Sequence, residues 1–313
     1  MRIVFMGTPE FAVPALQALI RSGNEIAGVF TQPDRPKGRG GKVQMSSVKE
    51  LARKHTIPVF QPVRIRKDGL EDLQSLAPDL CVTAAFGQIL SQAILDVPKI
   101  GTVNVHASLL PRHRGAAPVN WAILQDDTVT GVTTMMTDAG IDTGDMLLRR
   151  EVPITDRDTA GSLLETLSQV GAELLIETID RLKAGNCPRE KQNDADMTYD
   201  PMLTKEMGEL DFAQTTRALL CRVRAMNPWP CAYAVASGGS LKVWQAKPAK
   251  ISRAAAPGTV IAADARQGLI VATGDGAIEL TEVQAPSAKR MSAKAFLLGH
   301  PIETGKQWKE ADL

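Results

Sequence analysis

Apolar positions along the chain follow two rhythms. Short unbroken or alternating apolar runs at 2–6, 25–31, 58–60, 80–85, 102–106, 131–137 and 146–153 predict strands. Between them, apolar residues recur every three or four positions and predict helices. Phe11, Ala15, Leu19 and Ile20 mark the first, entered through Pro9 and Glu10. Ser47-x-x-Glu50 opens a second to about residue 55, Asp68-x-x-Glu71 a third over 69–76, and a fourth is expected over 116–124. The longest spans 159–184, with Leu163, Leu164, Leu167, Val170, Leu174, Leu175, Ile179 and Leu182 on its apolar face and Gly185 as its stop. A β-α-β-α-β order predicts an α/β fold, a Rossmann-like, doubly wound, mostly parallel sheet. The first βα turn, Gly7-Thr8-Pro9, lacks G-x-G-x-x-G, so a dinucleotide site is not supported.

Beyond residue 189 the rhythm changes. Residues 190–208 have little apolar period and read as a linker. One helix over 213–226 is followed by Asn-Pro-Trp-Pro and five short strands, at 232–236, 241–246, 258–262, 268–273 and 277–283, with glycine turns between them. That pattern predicts a small OB-like β-barrel domain over 209–313, behind a catalytic domain over 1–189. Residues 32–45 (Q-P-D-R-P-K-G-R-G-G-K-V-Q-M) carry two prolines, four glycines and no apolar period, and read as a long loop with neither regular structure.

Composition narrows the class. The 313 residues are 44% hydrophobic, ordinary for a globular chain, and no run approaches the length of a membrane span, so no membrane partner is expected. The chain opens on a strand without a basic, then apolar, leader; a cytoplasmic protein, or one that has lost its leader, is expected. Cys81, Cys187, Cys221 and Cys231 form no C-x-x-C pair, and with four histidines no metal site is expected. Cys81, in an apolar strand, reads as a core residue. The formal charge of +1 is uneven. From Glu209 onward there are 13 Lys/Arg against 9 Asp/Glu, leaving −3 for the first 208 residues. The basic half is the C-terminal one, a weak pointer to nucleic acid.

Candidate chemistry gathers at 101–118. If 102–106 is a strand, its two-residue period puts Asn104 and His106 on one face and Val103 and Val105 on the other. Polar pairs are unusual in a parallel strand, and the carboxyl end is where such sheets bind ligands. A purely structural role, tying down the next loop, meets the same spacing. A Gly- and Asp-rich loop at 138–145 follows the 131–137 strand and can bring the Asp142 carboxylate toward the same strand end. The 86–90 turn, Phe86-Gly-Gln-Ile-Leu90, closes another strand and reads as a plain βα turn or as a pocket wall. In the 32–45 loop, Arg35, Lys37, Arg39 and Lys42 face one Asp34; such a run suits a solvated surface or a polyanionic partner.

N-V-H-A-S-L-L-P, then R-G-A-A-P, then D-A-G-I-D-T-G, resemble the formyltransferase family that uses 10-formyltetrahydrofolate. The resemblance covers nearly the whole chain, including M-G-T-P-E-F, T-Q-P-D-R-P-K-G-R-G, N-P-W-P and A-T-G-D-G. It implies formyl transfer to an amine by Asn104, His106 and Asp142. It also implies a folate pocket bordered by Phe86, Gly87, Gln88, Ile89 and Leu90, by Ser108, Leu109, Leu110 and Pro111, and by Asp138 and Gly140. The basic loop points to the branch acting on initiator methionyl-tRNA, as a monomer, with Arg35, Lys37, Arg39 and Lys42 as tRNA contacts. Purine-synthesis members end after the first domain, and amino-sugar-nucleotide members generally lack that loop. Ala107 stands where the family usually has Gly, Ser46 where Pro is usual, and Val119-Asn120 where Ile-Gln is usual. The alternatives are a formyltransferase for an amino-sugar nucleotide and, from another class, a non-catalytic RNA-binding protein. Arg39→Ala is expected to reduce tRNA formylation severely, to leave folate affinity intact, and to flatten the log–log salt slope of tRNA binding by roughly 0.7–0.9. Titration of tRNA at several salt concentrations measures that slope, and normal formylation with an unchanged slope would make the loop ordinary surface.

Overall fold

A strand without polar positions has to be covered on both faces, and Ile3, Val4, Phe5 and Met6 are each fully buried. The computed structural model describes residues 1–37, 42–236 and 239–308. The chain divides into two compact units. The first comprises Met1–Pro118, Val129–Pro153 and Leu164–Asp200; the second comprises Val119–Thr128, Ile154–Leu163 and Pro201–Leu313.

In chain order the first unit's strands are β1 (Arg2–Gly7), β2 (Glu25–Phe30), β3 (Arg35–Lys37), β4 (Lys42–Gln44), β5 (Val59–Phe60), β6 (Leu80–Ala84), β7 (Gly101–His106), β8 (Arg114–Gly115), β9 (Val129–Met136), β10 (Met146–Pro153) and β11 (Tyr199–Asp200). Seven form one sheet in the order β10-β9-β7-β6-β1-β2-β5. Its β5–β2, β2–β1, β1–β6 and β6–β7 pairs are parallel, and β9 and β10 add an antiparallel edge. From β1 the chain steps out to β2 and β5, then returns to β6 on the other side. Between β1 and β6 the order reverses, and the crevice at their carboxyl ends is the ligand-binding place of open α/β sheets. The long helix, Ala160–Lys183, packs close to β7: a Cβ on Gly171 would lie 2.8 Å from the Val105 Cγ1.

Three local readings shift for physical reasons. Ser46, not Ser47, caps the helix Ser47–Lys54, accepting from Lys49 N at 3.1 Å, because it is the last extended residue before the first turn. Asp68 accepts from Val63 and Arg64 N–H, so it holds the start of the short helix Ile65–Asp68, and a second helix follows at Leu70–Ser75. The 32–45 segment is not loop throughout. β3 and β4 pair antiparallel, Arg35 with Gln44 and Lys37 with Lys42. A two-stranded ribbon has no core to face, so no apolar period announces it.

The second unit holds β12 (Ala232–Ala236), β13 (Gly239–Pro248), β14 (Val260–Asp264), β15 (Gly268–Ala272), β16 (Ala277–Gln284) and β17 (Met291–Ser292). They form an antiparallel sheet in the order β12-β13-β16-β15-β14, with β17 on β16. Leu241, Val243, Leu269, Val271, Ile278 and Leu280 make its buried face, covered by Val223 of the helix Thr216–Ala225 with Met226 just beyond its end, and by Phe296 and Leu297 of the helix Ala293–Gly299. That last helix, seven residues long, is too short for its period to stand out in the sequence. Arg217 gathers three stretches of this unit, bonding the Asp126 carboxylate through Nε and a terminal nitrogen and Asp156 through the other nitrogen. The hydrogen bond from Arg217 holds the Asp126 carboxyl below the usual range, and the two carboxylates raise the guanidinium. Arg217 is about half exposed, so Arg217→Ala is expected to cost only about 0.5–1 kcal/mol, a few degrees of Tm, with the difference narrowing in high salt. Thermal unfolding at two salt concentrations checks this.

Candidate active site

Asn104 and His106 lie on one face at the carboxyl end of β7, as the two-residue period requires. Across the parallel register Asn104 stands opposite Thr83 of β6, whose hydroxyl donates to Asn104 Oδ1 at 2.8 Å. That bond turns the amide so that Nδ2 is its outward donor, and Nδ2 makes no hydrogen bond among the described residues. Thr83 is the lone hydroxyl in Leu-Cys-Val-Thr-Ala, a signal that only its register with Asn104 makes meaningful. Beside it, burial pushes the Cys81 thiol up to about 12 and keeps it an inert core group.

His106 is 6% exposed. Its Nε2 lies 2.9 Å from the His113 carbonyl oxygen and its Nδ1 lies 3.7 Å from Asp142 Oδ1. The second distance is too long for a hydrogen bond and is a charge contact. Asp142 comes from a loop that starts at the far end of β7: Met136 of β9 pairs with Val103, and Thr137 N–H donates to Thr102 O. The loop therefore doubles back to reach His106. Asp138 Oδ1 closes it by accepting from Gly140 N and the Thr143 hydroxyl, and Asp142 itself has φ +53°. Gly115 N–H donates to Asp142 Oδ2 at 2.9 Å, and Gln192 Nε2 donates to the main-chain oxygens of Asp142 and Gly144.

Gln192 belongs to the stretch that sequence reads as linker, and residues 190–200 are bound into the first unit throughout. Glu190 and Met146 exchange main-chain bonds; Arg114 donates to Gln192 Oε1 and to Asp194; β11 pairs with β8. Thr198 Oγ1 accepts from His113 N at 2.7 Å, and His113 Nδ1 lies 2.8 Å from Asp200 Oδ2. Both side chains of this last pair are almost fully buried, and Asp200 Oδ1 has no hydrogen-bond partner. An orphaned buried acceptor costs about 1–3 kcal/mol, and desolvation offsets much of a buried pair's attraction. Gln192, Thr198, Asp200 and His113 were invisible to pattern reading because polar residues in an aperiodic segment look the same whether solvated or bound.

The candidate folate residues occupy two strand ends at and beside the switch point. The carbonyls of Phe86 and Gly87 accept from Gln32 Nε2, and that of Phe86 also from the Thr8 hydroxyl. Phe86 and Leu90 have buried side chains that form the wall from behind, Ile89 is 69% exposed, and Gln88 is spent on Ile65 N and Pro62 O. In the next strand end Leu110 packs with Met135 and Met146, and the buried Ser108 donates to Arg112 O. Leu109 lies against Gly131, and Pro111 is half-buried. Asp138 and Gly140 are exposed and shape the Asp142 loop. Ile89 and Ile141 are both exposed apolar side chains, one on the 86–90 turn and one on the Asp142 loop. Among the described residues no group of three or more His, Cys, Asp or Glu side chains is placed to hold a metal ion, and no helix is long and apolar enough to cross a membrane.

Of the candidate tRNA contacts, Arg39 lies outside the described residues. Arg35 is exposed in β3, with its guanidinium 3.4 Å from Gln32 Oε1, and Lys37 pairs with Lys42 in the ribbon register. The base of this ribbon is anchored. Lys49 Nζ donates to Asp34 Oδ2 and Gln61 Oε1, and Gln61 Nε2 donates to Asp34 Oδ1 and Gln32 O.

A Rossmann-like sheet with an Asn, a His and an Asp at one strand end, followed by an antiparallel domain, defines a formyl transferase. Residues 1–179 match the family described as formyl transferase, and residues 202–301 that described as formyl transferase, C-terminal domain. Methionyl-tRNA formyltransferase of Citrifermentans bemidjiense is 50% identical over 306 residues, 97% of this chain and 95% of that protein; that of Clostridioides difficile is 47% identical, over 97% and 99%. The chain belongs to the methionyl-tRNA formyltransferase family. Solved structures share the fold at lower identity. An N-formyltransferase from Helicobacter canadensis, in complex with folinic acid and dTDP-3-aminofucose, matches with TM-score 0.69 at 19% identity, over 92% of this chain and 99% of that one. HypX from Aquifex aeolicus, in complex with tetrahydrofolic acid, matches with TM-score 0.66 at 19% identity, over 96% of this chain; this chain spans 47% of that one.

The Asp34 anchor yields a pH expectation. The hydrogen bond from Lys49, then that from Gln61, holds the Asp34 carboxyl below its ordinary 3.8. A depressed carboxylate contributes stability above its unfolded value and loses it as pH falls through the folded one. The wild type is therefore expected to exceed Asp34→Asn in stability near neutrality, with the gap closing only below about pH 4. Urea unfolding from pH 3 to 7 measures the gap, and a pH-independent gap would show that the charge plays no part.

Proposed function

We infer that this protein transfers the formyl group of 10-formyltetrahydrofolate to the α-amino group of methionine on initiator methionyl-tRNA, supplying N-formylmethionyl-tRNA for translation initiation. The observation that carries the chemistry is the His106 ring, with Nε2 on a main-chain carbonyl and Nδ1 facing a carboxylate, beside an amide donor already turned outward. The folate supplies the formyl carbon. We assign its site to the 86–90 and 108–111 strand ends with Asp138 and Gly140 on the facing loop.

Three side chains do the work in this reading. As the amine adds, negative charge develops on the formyl oxygen, and Asn104 Nδ2 donates to it; such a donor is worth about 10²–10³ in turnover. The transfer is proton-neutral, because the amine loses one proton and the departing nitrogen gains one. A single shuttle therefore suffices. His106 Nε2–H is committed to the His113 carbonyl, so Nδ1 is the ring atom that takes and returns the proton. Asp142, 3.7 Å away and held by Gly115 N–H, stabilises the imidazolium that forms between the two transfers.

In this reading the first unit, to which residues 190–200 are bound, carries catalysis, residues 201–208 connect, and 209–313, OB-like, bind tRNA. The cations Arg35, Lys37, Arg39 and Lys42 meet the tRNA phosphates. The enzyme acts as a monomer in the cytoplasm.

Asn104→Ala, His106→Ala and Asp142→Ala are each expected to lower turnover by at least ~10²-fold while the protein stays folded. The assay supplies formyl-folate with methionyl initiator tRNA in one arm and with an amino-sugar nucleotide in the other. Product in the sugar arm alone would overturn the substrate, and wild-type turnover by His106→Ala would overturn the chemistry.

A further inference from the structure

We propose that the buried His113–Asp200 pair is a positioning device for His106, holding the main-chain carbonyl that decides which nitrogen of the His106 ring carries the exchangeable proton. The proposal deepens the assignment of His106 as proton shuttle and rests on it.

A carbonyl oxygen accepts and never donates. With the His113 oxygen 2.9 Å from Nε2, the neutral His106 ring has to carry its hydrogen on Nε2, leaving Nδ1 as the basic atom on the Asp142 side. Were that carbonyl to turn away, the hydrogen would be free to move to Nδ1, drawn there by the Asp142 carboxylate. The ring would then face substrate in the wrong tautomer.

The carbonyl belongs to a residue in a costly conformation. His113 has φ +60°, a region that non-glycine residues enter only when their surroundings hold them there. Here the surroundings are three groups from one short segment. Thr198 Oγ1 takes the His113 N–H, Asp200 Oδ2 meets His113 Nδ1 at 2.8 Å, and Thr198 O takes the N–H of Arg114. The Arg114 N–H shares a peptide plane with the His113 oxygen, so its bond to Thr198 O fixes that plane, while His113 Nδ1 on Asp200 and the His113 N–H on Thr198 hold the residue itself.

The same residue also serves Asp142. The Asp200 carbonyl accepts from Ala116 N–H at 3.0 Å and presses on Gly115, where a Cβ would lie 2.4 Å from it. Gly115, at φ +111°, is the residue whose N–H holds Asp142 Oδ2. Asp200 therefore acts on His106 through its side chain and on Asp142 through its backbone.

The test reads the His106 ring directly, by nitrogen chemical shifts of histidine-labelled enzyme, alongside steady-state kinetics. In the wild type His106 is expected in the Nε2–H form. Asp200→Ala is expected to give a tautomer mixture and to lower kcat by about 10–100-fold, with KM for folate and for tRNA within about threefold of the wild type. Asp200→Asn keeps an acceptor for His113 Nδ1–H and is expected to restore the Nε2–H form and kcat to within about threefold. Should Asp200→Ala not fold, Thr198→Ala, which removes one hydroxyl, carries the same comparison with a smaller loss. An unchanged tautomer with kcat within about twofold in a folded Asp200→Ala or Thr198→Ala would overturn the positioning role. A loss of kcat that Asp200→Asn does not restore would overturn it as well. His106→Ala separates the two levels: if it is inactive while Asp200→Ala is fully active, only the positioning role falls, and if it is fully active, the shuttle assignment falls first.

Discussion

A main-chain carbonyl is an acceptor and nothing else, and the candidate site depends on that one-sidedness at His113. It removes one nitrogen of His106 from the chemistry and presents the other to Asp142. Everything nearby serves to keep that oxygen and that carboxylate in place. Residues 190–200 run beneath both as a strap, bonding to Asp142 and Gly144 through Gln192 and to His113 through Thr198 and Asp200. The strap has no apolar face of its own; its order comes from main-chain and side-chain hydrogen bonds to β8 and to the Asp142 loop.

The sheet explains why a strap is needed. In an all-parallel sheet, loops that leave carboxyl ends converge without assistance. Here β9 runs antiparallel to β7, so the loop carrying Asp142 leaves at the opposite end from His106 and has to return across the strand's length. A returning loop is a long lever, and a lever that must hold a carboxylate 3.7 Å from an imidazole needs fixing at several points. Asp138, Gly115 and Gln192 provide them. By contrast Asn104 is placed by the sheet alone, since its partner Thr83 is its register neighbour.

At the other side of the switch point the β3–β4 ribbon rises from a fixed base. Asp34, Lys49 and Gln61 bind one another and reach Gln32, whose amide orients the carbonyls of Phe86 and Gly87. The candidate tRNA-contacting segment and the candidate folate turn thus share Gln32 as a common footing. The positive charge of this base is supplied by Lys49.

Sequence by itself determined the classes of element and their order, because burial on two faces, on one face, or on none leaves a periodicity that can be read directly. It determined the parallel sheet, the antiparallel second domain and the shared face of Asn104 and His106. Motif spacing carried the family and pointed to Asp142, which the structure places 3.7 Å from His106. What it left undecided involves contacts between residues far apart in the chain. Thr83 is set by register, not by any local pattern. His113, Gln192, Thr198 and Asp200 sit in segments with no period, and 32–45 looked featureless although it holds a ribbon, since two strands without a core need no apolar alternation. Only the tertiary structure decided which nitrogen of His106 faces Asp142, because a tautomer is chosen by the partner across the fold, and a carbonyl oxygen has no residue code.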